Sequence, residues 1–260
     1  MARVKDKVVV ITGGSGGIGT AAGKRFAEEG AKVLLVDVFE DQLKRCVGQI
    51  GDSASYFVAD VTKEDQVNAY TQAAVDRYGR VDAVILNAGI EGIIKPLIEH
   101  TKEEFDRVIS VNIGGVFMGV KAAVPALAKT GGGSIIIVSS IAGLKGFALL
   151  GPYVTSKHAV VGMMRTAAIE YAGLNVRVNT VHPCPIETRM MRSIEEGAAN
   201  LLHQDEKAIY GMFEGTQALK RYGKPEEVAN MFLFLASDDA AFLTGNCYAV
   251  DGGHMAGLIL

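Results

Sequence analysis

The sequence predicts a single α/β domain spanning residues 1–260: a doubly wound, seven-stranded parallel sheet with helices on both faces. Three observations carry this prediction. Seven short apolar runs alternate with longer stretches of helical pattern. The runs are apolar nearly throughout rather than at every second position, as strands are when helices cover both faces of their sheet. A chain of 260 residues is also a size that one core still serves. In order, the strands are expected at Lys7 to Thr12, Lys32 to Val36, Tyr56 to Val58, Val81 to Leu86, Ser134 to Ser139, Val176 to Val181 and Cys247 to Val250. Between them, Thr101 and Glu104 have capping-box spacing ahead of Phe105, Val108 and Ile109, and Pro225-Glu-Glu-Val opens a further helix. No repeat or low-complexity linker divides the chain. One segment breaks the rhythm: about 186–216 separates the sixth strand from the next expected helix, an insertion of the length that covers substrate sites.

Composition narrows the function classes. Apolar residues make up 49% and the net charge is −3, a soluble globular profile. Lysines and arginines are scattered without a basic face, so no nucleic-acid partner is expected. No run approaches the ~18 apolar residues of a membrane span, and Val8 to Ile11 is too short for a secretory signal. Cys46, Cys184 and Cys247 are odd in number and far apart, which signals neither a disulfide frame nor zinc and makes a reducing cytoplasm the default. The five histidines, at 100, 158, 182, 203 and 254, show no metal-ligand spacing, so no metal is expected.

The first strand runs into Gly13-Gly-Ser15-Gly-Gly17-Ile18-Gly19 and then a helix. Glycines let backbone approach a pyrophosphate, and the helix start offers free N–H groups and a positive dipole end to it. Asp37 follows the second strand about twenty residues on, where a carboxylate accepts from a ribose diol. It would repel a 2′-phosphate, and Val38 offers no cation to hold one. The turn therefore reads as a Rossmann-type site for NAD rather than NADP. Two decoys overlap it. Gly13-Gly-Ser15-Gly-Gly17 satisfies G-x-S-x-G, but a nucleophile elbow belongs on a mid-sheet strand; a Walker loop fails because Lys24 precedes Arg25 and lacks the leading glycine.

Tyr153 and Lys157 lie four residues apart, so one helical turn puts them on one face. A cation beside a phenol favours the phenolate and equips the pair for proton exchange near neutral pH.

With these motifs in this order, nearly the whole chain resembles the short-chain dehydrogenase/reductase family. Thr12, Gly13, Gly17 and Gly19 match its T-G-x-x-x-G-x-G opening. The resemblance implies that Asp60 and Val61 hold the adenine, and that Asn87-Ala88-Gly89 lines the cofactor. It makes Asn112 part of a water-mediated proton path to the lysine. Gly114 and Gly115 after it weaken the helix and favour a local distortion. Ser140 falls at the family's catalytic-serine spacing, ahead of Ser139 as candidate. By this likeness Tyr153 is the general acid/base, Lys157 lowers its pKa and binds the nicotinamide ribose, and Ser140 binds the substrate oxygen. Pro183-Cys184-Pro185-Ile186-Glu187-Thr188 stands where the family has Pro-Gly-x-x-x-Thr, so Pro183, Ile186 and Thr188 are expected at the carboxamide while Cys184 replaces the glycine.

The function expected is an NAD-dependent alcohol dehydrogenase/reductase interconverting a small apolar or cyclic secondary alcohol and its ketone. Met190, Met191, Met212, Phe213, Leu144, Phe147 and Leu149 are candidates for an apolar substrate wall, with Arg189, Arg192 and His203 as minor polar candidates. A 3-oxoacyl-thioester reductase is the alternative enzyme, and a catalytically silent NAD-binding regulator the alternative of another class. The apolar tail 255–260 calls for cover by a neighbouring subunit, and the resemblance implies a homotetramer.

Overall fold

A computed structural model, which describes residues 2–257, contains one parallel sheet. Its strands are β1 (Val8–Thr12), β2 (Lys32–Asp37), β3 (Ala54–Val58), β4 (Ala83–Leu86), β5 (Gly133–Val138), β6 (Val176–Pro183) and β7 (Cys247–Val250). They lie in the order β3-β2-β1-β4-β5-β6-β7, every neighbouring pair parallel. The last strand has the expected bounds, and the others differ from expectation by one or two residues at an end.

The helices are α1 (Gly17–Glu28), α2 (Glu40–Ile50), α3 (Glu64–Tyr78), α4 (Lys102–Ile109), α5 (Gly115–Ala128), α6 (Gly151–Glu170), α7 (Arg189–Leu202), α8 (Glu206–Gly215) and α9 (Pro225–Ala236). Successive strand residues point to opposite faces. Val10, Val84, Leu86, Ile135 and Ile137 therefore enter one core with Val120 and Leu127 of α5 and Met164 of α6. Val9, Ile11, Ile85, Ile136 and Val138 enter the other with Phe26 of α1 and Phe232 of α9. Two cores explain why the strands carry no polar alternation.

Two stretches differ from simple expectation. Residues 186–216 are not a loop: they form α7 and α8, and His203 ends α7 in the left-handed conformation with φ 52°. Thr188 caps α7 by accepting from Met191 N at 3.2 Å, and Asp205 caps α8. Next, α4 and α5 join through a π-helical turn, Ser110–Gly114, into one helix from Lys102 to Ala128. By length and composition that helix is apolar enough to cross a membrane, contrary to the sequence expectation; here Val116, Val120 and Leu127 bury it in the core. The π turn falls at the expected distortion, where Gly115 allows contact with Val61: a Cβ on Gly115 would lie 2.8 Å from Val61 Cγ2. The Thr101–Glu104 capping box and the Pro225 helix start form as expected. Of the apolar tail, residues 258–260 lie outside the described residues.

Strand order reverses between β1 and β4, which opens a crevice at their carboxyl ends. Thr12 stitches that crevice together. Its Oγ1 accepts from Asn87 N at 3.0 Å and Ala88 N at 3.1 Å, while Asn87 Nδ2 donates to the carbonyls of Thr12 and Gly13, each at 3.1 Å. Thr12→Val keeps the shape and removes the acceptor. It should lower unfolding stability in urea by about 1–3 kcal/mol for each N–H left without a partner; unchanged stability would mean that the stitch contributes nothing.

Candidate active site

The glycine turn sits at the carboxyl end of β1, and its glycines are there because side chains do not fit. A Cβ on Gly19 would lie 2.2 Å from the Gly13 carbonyl, and one on Gly13, at φ +63°, 2.8 Å from Asn87 Nδ2. Gly16 caps α1 without any side-chain hydrogen bond, so no side chain occupies the first-turn N–H groups. That uncapped positive end is the donor set an anion requires. Beside it Asp37 accepts from Ser15 N at 3.1 Å and Ser15 Oγ at 2.7 Å through one oxygen, and from Val38 N through the other. Ser15 Oγ also donates toward Gln42. With an aspartate and an amide as partners and no histidine, Ser15 has no base to make it a nucleophile. A glycine cradle, an uncapped helix start and a carboxylate at the second strand end fit a dinucleotide.

Across the crevice lies the proposed chemistry. Lys157, 5% exposed, donates from Nζ to the Val138 carbonyl at 2.9 Å and lies 5.4 Å from the Tyr153 ring centroid. Tyr153 is 8% exposed. Burial pushes its hydroxyl up to about 12; the neighbouring Ser140 hydroxyl lowers it and the Glu91 carboxylate raises it. The lowering expected from Lys157 is therefore opposed by burial, which also pushes Lys157 down to about 8. Ser140 is extended and caps a short 3-10 turn, its Oγ accepting from Ala142 N at 3.1 Å. With that lone pair engaged, its proton serves the Tyr153 oxygen in the absence of substrate and is placed for a substrate oxygen beside it. Ser139 points inward instead, bonding the Lys157 carbonyl at 2.9 Å.

Asn112 is fully buried in the π turn. Its amide accepts from Ile90 N and donates to Ile90 O, both at 2.9 Å, and to Ser156 Oγ at 3.0 Å. Its side chain thus fastens the segment that follows β4 to α6. Gly89 leaves the gap between them open, since a Cβ there would lie 3.2 Å from Asn112 Oδ1 and 3.4 Å from Lys157 Nζ.

The remaining expected residues come to the same edge. Asp60 Oδ1 accepts from Thr62 N and Oγ1, fixing the turn after β3 next to Val61. Pro183 ends β6, and the loop beyond it faces the glycine turn: a Cβ on Gly17 would lie 3.3 Å from Thr188 Cγ2. Ile186 is buried and bridges Gly223, while the Thr188 hydroxyl donates to Ile186 O. Cys184 is buried beneath this loop, takes a hydrogen bond from Gln217 Nε2 and is pushed up to about 12 by burial.

The mouth of the site is apolar. Ile94, Phe147 and Val154 pack against Ala142, Leu150 and Tyr153. Ile94 also meets the cluster of Met191, Ile194 and Tyr222, with Met190 and Phe213. Of the expected wall, Met212 is half exposed, and Arg189, Arg192 and His203 lie on the surface. Ile94 and His182 were missed by sequence reasoning. Ile94 carries no motif, and His182 bonds a residue far away in the chain; only its place beside Pro183 pointed to it.

Comparison with known proteins agrees with this geometry. A family model described as enoyl-(acyl carrier protein) reductase matches residues 13–255. Levodione reductase of Leifsonia aquatica is 37% identical over 98% of this chain and 96% of its own. A 3-oxoacyl-[acyl-carrier-protein] reductase of Thermotoga maritima is 39% identical over 96% and 98%, and cyclohexanol dehydrogenase of an Acinetobacter strain 35% identical over 97% and 96%. Among solved structures, levodione reductase superposes with a TM-score of 0.93 at 36% identity, covering 98% of this chain and 100% of that one. NAD+-bound xylitol dehydrogenase gives 0.93 at 31%, covering 96% and 100%.

A lysine whose value falls from 10.5 to about 8 on folding is destabilising wherever it is charged in both states. That penalty is complete below pH 8 and vanishes as pH rises toward 10.5, because the unfolded chain then also loses the proton. Lys157→Met should therefore stabilise the cofactor-free protein by about 3 kcal/mol at pH 7, a gain that shrinks between pH 8 and 10.5. A Met variant less stable at pH 7 would contradict this assignment.

Proposed function

The chain belongs to the short-chain dehydrogenase/reductase family, as an oxidoreductase that interconverts secondary alcohols and ketones, and from that premise we propose that it uses NAD in preference to NADP on a small apolar or cyclic substrate. The observation that carries the reading is the half-buried Ser140 beside buried Tyr153 and Lys157, at the same sheet edge as an uncapped glycine turn.

NAD(H), when bound, takes up or supplies the hydride. The chain's own residues handle binding and the proton. Gly13, Ser15, Gly17, Ile18 and Gly19 receive the pyrophosphate, and Asp37 the ribose diol. Asp60, Val61, Asn87, Ala88 and Gly89 line the adenine and central parts, while Pro183, Ile186 and Thr188 bound the carboxamide. Ser140 donates its hydroxyl proton to the substrate oxygen and orients it. Tyr153 Oη holds the transferable proton, giving it in reduction and accepting it in oxidation. Lys157, fixed on the Val138 carbonyl, supplies the positive charge that favours the phenolate. Asn112 acts through its Ile90 and Ser156 bonds, which hold the floor beneath Lys157.

Ile94, Phe147 and Leu150 exclude water, and α7 and α8 serve as the substrate cover resting on Ile94. An apolar wall of this kind favours a ring or short aliphatic substrate. The cyclohexanol dehydrogenase relative supports that class. The Thermotoga relative and the matching family model keep 3-oxoacyl thioester reduction as a second reading.

Three free cysteines support a cytoplasmic setting, and Phe117 on α5, Ile169 on α6 and Phe242 before β7 expose apolar surface that supports a homo-oligomer, a tetramer in our reading. A groove beside the glycine turn carries Lys24 and Arg45, so NADP is the necessary control.

The test is NADH formation from NAD+, with NADP+ in parallel, across cyclic, aryl and hydroxyacyl alcohols. Turnover of a cyclic or aryl alcohol with NAD+ is expected, rising with pH as Tyr153 loses its proton more readily; hydroxyacyl turnover with NADP+ would overturn the reading. Tyr153→Phe should lower kcat by about 10²- to 10⁴-fold with NADH affinity retained, as read by fluorescence titration.

A further inference from the structure

His182 is the buried titratable group that the proposed chemistry leaves unused. It lies in β6 with no exposed surface, its Nδ1 2.7 Å from the Ser140 carbonyl oxygen and its Nε2 2.8 Å from Thr180 Oγ1. A carbonyl only accepts, so Nδ1 carries the proton and donates it to Ser140. In the neutral ring Nε2 then accepts, and the Thr180 hydroxyl is its donor. Burial lowers the pKa of His182 below the ordinary histidine value, the Ser140 bond opposing and Lys157 and His158 assisting, which keeps the ring neutral. The neutral tautomer has both nitrogens satisfied.

Ser140 is thereby clamped at both of its oxygens. Its carbonyl accepts from His182 and from Gly143 N at 2.8 Å, and its Oγ accepts from Ala142 N. The Gly143 and Ala142 bonds are local to the turn. The His182 bond alone among these reaches to another strand, the one whose end carries Pro183 and the loop facing the glycine turn.

We infer that His182 is a positioning residue that sets the Ser140 hydroxyl toward the reacting oxygen by holding the Ser140 carbonyl, with the Thr180 hydroxyl satisfying its other ring nitrogen. The inference rests on the role proposed above for Ser140. It links substrate-oxygen orientation on β5 to the cofactor-side loop on β6 through a single side chain. A misplacement of the hydroxyl by a fraction of an ångström would reduce the chemical step rather than cofactor binding.

The experiment is a double-mutant cycle on the full-length enzyme, with cyclohexanol and NAD+ as the probe pair. His182→Phe removes both nitrogens and keeps a ring. It should lower kcat by about 10- to 100-fold while KM for the alcohol and NADH affinity change little. In a Ser140→Ala background the same substitution should cost nothing further, because the hydroxyl it orients is gone. His182→Asn, whose amide N–H reaches the same carbonyl, should recover most of the rate. Equal losses in both backgrounds, or an Asn variant as slow as the Phe variant, would overturn the inference and leave His182 a packing residue. Should the Phe variant fail to fold, Thr180→Val carries the same test, with a smaller loss of kcat that also vanishes without the Ser140 hydroxyl. If Ser140→Ala itself keeps full activity, the proposed role of Ser140 fails first and the inference falls with it, an outcome distinct from additivity.

Discussion

One buried cation organises the proposed active site. Lys157 is almost fully enclosed, and among the described residues its ammonium has one hydrogen-bond acceptor, the Val138 carbonyl at the end of β5. Taking a charge out of water is costly unless it is paired and hydrogen-bonded. Everything around it accommodates that charge. Gly89 and Gly143 leave the space, with a Cβ on Gly143 lying 2.6 Å from the Lys157 carbonyl. Ser139 ties that carbonyl to the end of β5, and Asn112 fixes the segment that follows β4 to α6. The same enclosure raises Tyr153 and lowers Lys157, so a bare phenol and a bare amine are each discouraged from ionising alone. In the proposed reaction the two groups act together, the ammonium making the transient phenolate tolerable.

The crevice sets where this pair stands relative to the dinucleotide. Parallel strands buried on both faces leave only their carboxyl edge for polar chemistry. Thr12 and Asn87 join the ends of β1 and β4, so the glycine turn and the Lys157 side chain are held against one frame. The loop after β6 closes the third side through Thr188 opposite Gly17. Specificity is then left to less constrained elements. Ile94 touches both the Tyr153 cluster and the α7–α8 cluster, and Gly197 of α7 is small because a Cβ would lie 2.6 Å from Ile94. Apolar contact selects by shape and size, which suits a ring or short chain better than a charged substrate.

Much of this was legible in the sequence because it depends on local rules. Unbroken apolar runs such as Val33 to Val36 announce a sheet covered on both sides, and the Thr101–Glu104 box announces a helix start. Gly114 and Gly115 marked the distortion that became the π turn. What was hidden depends on distance in the chain or on burial. The His182 bond to Ser140 joins two strands, and no spacing rule connects them. In the 186–216 segment, Met191, Ile194 and Ala198 recur at helical spacing and form the buried face of α7; the segment read as an insertion because it interrupts the strand–helix alternation, not because it lacks a helical pattern. Burial reversed the simple view of Tyr153: adjacency of a lysine is visible in the sequence, whereas desolvation of both groups is a property of the packed interior.

The measurement that tests the central claim most directly follows the hydrogen itself. Cyclohexanol carrying deuterium at its carbinol carbon is turned over with NAD+, and the reduced cofactor is weighed by mass spectrometry. Direct hydride transfer at this site predicts one deuterium in the NADH formed per ketone produced, with the hydroxyl proton released separately to solvent. Deuterium appearing in water instead, with unlabelled NADH, would contradict the account.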